Sequence, residues 1–165
     1  MRRLARARVP LGFLAAAAAL VLARPSRTSW LLGLAMALPG EGLRIWAAGH
    51  IEKGREITRS GPYRLVRHPL YLGSTLLGAG FAVASRNWVV VLLTVLYLGL
   101  TLWAAVRTEE ATLDSRFAGA YAVYRAGQAA PVRRAFDWRR AVRNREHRAV
   151  LGLVVAFGYL AIRAR

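Results

Sequence analysis

Apolar residues along the chain gather into five runs separated by short arginine-rich segments. The runs approach the length of a helix that crosses a bilayer, about 20 residues with roughly 17 as the low end. The first, Pro10 to Ala23, follows the basic start MRRLARAR. It reads as a first transmembrane helix within residues 1–23, or as a signal peptide cleaved after Val21-Leu22-Ala23. The second, Trp30 to Gly49, is broken near its middle by Pro39-Gly40 and carries Glu41 and Arg44. Those two charges lie three residues apart, share a helix face and can pair. Ionisable groups at that depth read as functional; the alternative is a helix that has reached the interface, with Arg44 snorkelling to lipid phosphate. The third run, Pro69 to about Ser85, contains Gly73, Ser74, Thr75, Gly78, Ala79 and Gly80. Such small residues let helix backbones approach closely, so this run packs tightly on a neighbour. Ser85-Arg86-Asn87 predicts a tight turn into an uninterrupted fourth run, Trp88 to Val106, making the third and fourth an antiparallel hairpin. The last, Ala149 to Ile162, crosses a locally thinned bilayer or lies at its surface. The expected architecture is a single all-α domain over 1–165, an integral membrane bundle of four to five transmembrane helices.

Two polar segments stand out between these runs. Residues 60–73 read SGPYRLVRHPLYLG. Gly61-Pro62 sets a turn and His68-Pro69 marks a helix start, since proline suits the first turn while the residue before it avoids helical angles. His68 is thereby placed at the N-cap, where the helix dipole favours a negative group. The other segment begins RTEEATLDSRFAGAYAVYRAG. Glu109, Leu113, Phe117, Tyr121 and Tyr124 recur at helical spacing and predict a cytoplasmic amphipathic helix after the fourth span. Glu109 and Glu110 are adjacent, so they point to different faces. Antiparallel neighbours bring the start of one helix beside the end of the other, so His68, Tyr71, Glu109 and Glu110 can line one pocket.

Charge then orients the bundle. Of 25 basic residues, 24 are arginine, and 19 fall on one side if the N-terminus is cytoplasmic, a strong positive-inside bias. The formal charge of +17 is therefore a matter of topology: the arginines are spread over the inner face with no recognition motif for nucleic acid. Cysteine is absent, which excludes disulfides, cysteine nucleophiles and thiolate metal sites, and no metal site is expected. The apolar content of 56% fits an integral membrane chain, and the arginine and alanine richness hints at a GC-rich bacterial genome, so a bacterial inner membrane is the expected location.

GPYRLVRHPLYLG, followed by a hydrophobic stretch and then EEATLDSRFAGAYAVY, resembles the bacterial members of the isoprenylcysteine carboxyl methyltransferase and phospholipid methyltransferase superfamily. Its hallmark is RHPxY, a helix hairpin and a glutamate pair. LRIWAAGH at 43–50 and the closing VRNREHRAVLG extend the similarity over about residues 40–155. The resemblance implies a membrane methyltransferase using S-adenosylmethionine, with a lipid or lipophilic small-molecule acceptor entering from the bilayer. It implies a cofactor site of Tyr63, His68, Pro69, Tyr71, Gly73, Glu109, Glu110 and Leu113. Arg44, Arg67 and Arg125 are candidates to hold an acidic group of the acceptor, with Arg64 beside them. His68 reads as structural or cofactor-binding rather than as a general base. A glycine-rich Rossmann motif is absent. The competing readings are an NADPH-dependent membrane reductase of the steroid 5-alpha-reductase type and a non-catalytic lipid-binding membrane protein. Nothing in the sequence identifies the acceptor or the oligomeric state.

Overall fold

The computed structural model describes residues 12 and 14–165; the basic start MRRLARAR and the first residues of the first apolar run lie outside them. All regular structure among the described residues is helical. α1 covers 14–22. It is followed by α2 (Arg27–Ala48), a 3₁₀ turn (Gly61–Arg64), α3 (Pro69–Ser85), α4 (Trp88–Arg125), α5 (Trp138–Arg143) and α6 (Glu146–Arg163).

Local chemistry fixes the ends of these helices. Ser26 and Ser29 cap α2 reciprocally, each side chain accepting the other's backbone N–H. His68 is the N-cap residue of α3 with Pro69 at its first position. At the other end of α3, Arg86 adopts left-handed angles with φ 48°, and Asn87 caps α4 by accepting from Val89 N–H at 2.9 Å. The predicted corner between the third and fourth runs is thus present. The break expected at Pro39-Gly40 is not: α2 runs unbroken through Pro39. Proline removes one amide donor there, a cost of about 3 kcal/mol in a free helix. Tight packing of this stretch on α3 offsets it.

That packing is the main contact of the bundle, and small residues make it. A Cβ on Gly33 would strike the Gly80 carbonyl oxygen, and one on Gly80 would strike that of Gly33; Gly40 and Gly73 oppose each other in the same way. Ala37 and Ala84 fill the space between, joined from α6 by Phe157 and Leu160 in the larger core cluster. Trp30 donates its indole N–H to the Phe157 carbonyl at 2.9 Å, tying α2 to α6. α3 therefore has its closest partner in α2, while the α3–α4 hairpin closes through Gly78, against which Leu98 and Thr94 lie.

α4 extends beyond expectation. The amphipathic segment forecast as a separate helix is the continuation of one 38-residue helix. Nothing in the sequence 104–112 breaks it, for it holds neither glycine nor proline. By length and composition α4, over Trp88–Phe117, is the one described helix apolar enough to cross a membrane, and it is almost wholly exposed; α3 is apolar but only 17 residues long. The forecast of four to five spans is met on this measure by one helix, since α2 carries Glu41 and Arg44 in its interior.

Candidate functional site

The start of α3 and the far half of α4 meet as the hairpin geometry requires. Tyr71 donates its hydroxyl to Glu109 Oε2 at 2.7 Å. His68 Nε2 lies 3.3 Å from Glu110 Oε1, where an N–H donates to the carboxylate, and Nδ1 lies 3.9 Å from Glu109 Oε2. The His68 and Tyr71 rings stack at 5.5 Å. Arg67 adds a longer ion pair to Glu110 at 3.7 Å. The adjacent glutamates, on different faces of α4, thus grip two side chains one turn apart at the α3 entrance.

A cavity of about 520 Å³ opens beside this cluster, walled by Tyr63, His68, Tyr71, Glu109, Leu113 and Phe117 among others. Its volume is within the ordinary range for small-molecule sites. The loop 49–60 closes one side, held to α4 by Arg116, which donates to the Gly54 carbonyl at 3.0 Å. Gly61, with φ 55°, lets the chain turn hard against the buried His50 ring, and this seats Tyr63 in the wall. Tyr124 donates to the Tyr63 carbonyl at 3.1 Å. Burial, and then the charge of Glu109, pushes the Tyr63 phenol far above its usual range, so it is a neutral donor at any physiological pH. Its hydroxyl has no hydrogen-bond partner among the described residues although it is buried. Buried polar groups are normally paired, so this orphan sets Tyr63 apart.

The other residues singled out in the sequence fall in four places. Glu110 does not line the cavity but braces His68 from behind. Pro69 is buried at the first turn of α3, and Gly73 faces α2, where a Cβ would meet the Gly40 carbonyl oxygen at 2.6 Å. Arg67 and Arg125 share a separate cavity described below. Arg44 sits elsewhere: it donates Nε–H to Glu146 Oε1 at 2.7 Å, hydrogen-bonds Ser74 and stands 3.8 Å from Glu41. With Ser74 it forms the polar end of an apolar groove of about 640 Å³ lined mainly by α1, α3, α4 and α6. Sequence reasoning missed Glu146 as the partner of Arg44, although it stands in the closing motif VRNREHRAVLG. It also missed Thr108, Thr112 and Arg116 on the cavity wall, whose signal was their spacing of four residues from one another.

Comparison with known proteins bears on this site directly. Over 92 residues the chain is 35% identical to the cobalt-zinc-cadmium resistance protein CzcN of Cupriavidus metallidurans, covering 54% of this chain and 41% of that protein. It is 30% identical to the nickel-cobalt-cadmium resistance protein NccN of Alcaligenes xylosoxydans xylosoxydans over 92 residues, 54% of this chain and 42% of that one. The chain thus spans well under half the length of these curated relatives. No solved structure matches it. The phospholipid methyltransferase family model matches residues 41–120, from Glu41 of α2 through the α3 entrance to the glutamate pair. The part of the chain that builds the site is therefore similar to the phospholipid methyltransferase family, a membrane-associated family within the isoprenylcysteine carboxyl methyltransferase-like superfamily.

Proposed function

We propose that the chain is an integral membrane methyltransferase that uses S-adenosylmethionine and transfers its methyl group to a lipophilic carboxylate or amine at the cytoplasmic leaflet. The observation that carries this reading is the cavity where Tyr71 and His68 meet Glu109 and Glu110, with Tyr63 in its wall. The residues present fit the methyl donor. Glu109 is an acceptor for an ammonium group, the start of α3 favours a carboxylate, and Tyr63, Tyr71 and Phe117 offer aromatic surface to a cationic sulfur. Bound there, S-adenosylmethionine supplies an electrophilic methyl group. The chain's own residues hold and orient: Tyr71 fixes the Glu109 carboxylate, Glu110 fixes the His68 ring, Leu113 and Phe117 keep water off the wall. Orientation of this kind is worth up to about 7–11 kcal/mol of a barrier. Pro69 and Gly73 serve the site by starting α3 and seating it on α2.

In this reading Arg44 positions the acceptor, whose apolar part occupies the groove ending there; Arg67 and Arg125 line a different cavity and do not converge with it. The chain crosses the membrane four or five times, with the N-terminus and the cavity on the cytoplasmic side of a bacterial inner membrane.

The test is ligand binding by the purified chain in detergent. S-adenosylmethionine is expected to bind with micromolar affinity and NADPH not at all. Glu109→Gln should weaken donor binding at least tenfold, a loss of about 1.4 kcal/mol, with the helical circular dichroism unchanged. Binding of NADPH alone would move the chain to the reductases; binding of neither would leave a lipid-binding protein, and donor affinity indifferent to Glu109→Gln would place the donor away from this cavity.

A further inference from the structure

A second cavity, of about 670 Å³, shares Tyr63 and Arg67 with the donor cavity, and four arginines line it: Arg59, Arg64, Arg67 and Arg125. No carboxylate lines it. This distribution is selective, because carboxylates nearby are spent on other arginines: Glu56 chelates Arg134 at 2.6 and 2.8 Å, and Glu52 takes Arg140 at 2.8 Å. Arg59, Arg64 and Arg125 make no ion pair among the described residues, and Arg67 has only its longer contact to Glu110. The walls are tied together rather than loosely apposed. Val132 N–H donates to the Arg59 carbonyl at 3.1 Å and Tyr124 to the Tyr63 carbonyl, so the segment after α4 is pinned across the 3₁₀ turn. Gly127, at φ 72°, turns the chain back over the opening. Like charges gathered around one hollow repel one another, and a multiply charged anion between them removes that repulsion while satisfying several guanidinium forks at once. The rim is apolar: Leu65 is 78% exposed and Trp46 42% exposed.

We infer that this cavity is a binding site for a phosphate monoester group, held by Arg59, Arg64, Arg67 and Arg125, with Leu65 and Trp46 placed to receive an attached apolar chain. The site stands independently of methyl transfer, since it is defined by anion binding alone and shares only Tyr63 and Arg67 with the donor cavity. The phosphate is that of a lipid headgroup or of a water-soluble ester, and the chemistry of the site is the same for both.

Isothermal titration calorimetry on the full chain in detergent, without methyl donor, separates these. Inorganic phosphate and a short-chain phosphatidic acid are the two probes. Saturable binding is expected, and it should weaken at least tenfold in the double variant Arg59→Gln/Arg64→Gln. The double variant Arg139→Gln/Arg148→Gln, equal in charge and exposed elsewhere, should bind as the parent does. Phosphatidic acid at least tenfold tighter than phosphate identifies a lipid source; equal affinities identify a soluble one. An equal loss in both double variants, or no saturable binding of either probe, overturns the site. An unchanged unfolding midpoint in Arg59→Gln/Arg64→Gln assigns its loss to the site and not to the fold, and a collapsed midpoint moves the same readout to Arg125→Gln.

Discussion

Tyr71 and Glu109 are 38 positions apart, and their 2.7 Å contact shows how much chemistry a few residues can specify. Proline after His68 fixes where a helix begins, an uninterrupted apolar run fixes how far the next extends, and a tight corner between them leaves one outcome for the ends. That part of the site was legible. The Arg44–Glu146 pair was not, since 102 residues separate the partners and neither side chain announces the other. The same holds for Glu52 and Arg140, which lock the loop 49–60 onto α5. The Arg140 guanidinium, hydrogen-bonded to Glu52 and charged beside it, holds that carboxyl below its usual range, with Arg143 and Arg55 adding to the effect. A carboxyl lowered in the folded state stabilises it above the unfolded value of about 4.3 and loses that contribution as pH falls through the folded one. The unfolding midpoint should therefore drop as pH is lowered from 5 toward 3, and Glu52→Gln should lower it at pH 7 while flattening that fall. A parallel fall in both proteins would show that other carboxylates dominate.

At the scale of elements, small residues declared that α3 packs closely but not against what. Glycine carries no side chain to match to a partner, so the α2–α3 contact had to come from the structure, and with it the reason why Pro39 does not break α2. The continuation of α4 was hidden for a related reason: a fall in hydropathy marks the edge of a membrane, and helix propensity takes no notice of that edge. The glycine seam makes a paired prediction. Gly73→Ala forces a methyl group between the Gly40 carbonyl oxygen and Arg44, and overpacking of this kind costs about 1–3 kcal/mol. Gly99→Ala, on the open face of α4 with nothing within 4 Å, should be neutral or stabilise by about 0.5–1 kcal/mol. Thermal unfolding in detergent separates the two; equal midpoints would dissolve the seam as a source of stability.

For the whole molecule, charge asymmetry gives an orientation that the absence of cysteine makes easy to test. Single variants Arg86→Cys, at the α3–α4 corner, and Gln128→Cys, after α4, create unique thiols at opposite ends of α4. In intact cells a membrane-impermeant maleimide should label only the first, and in inverted vesicles only the second. Labelling of both from one side would mean that α4 does not span, and the reversed pattern would place the cavity beside Glu109 on the outer face. The helix that joins these ends is about 57 Å long at 1.5 Å per residue. In the proposed reading its first half spans the bilayer, while its second half forms a wall of the cavity beside Glu109. A rod anchored at the Arg86 corner swings widest at its free end, where a change of about one degree in inclination displaces the tip by about 1 Å. Bilayer thickness, which sets the inclination of a spanning helix, thereby becomes a gauge of the gap between Glu109 and His68, and lipids of different chain length should tune the affinity for the methyl donor without touching a single residue of the site.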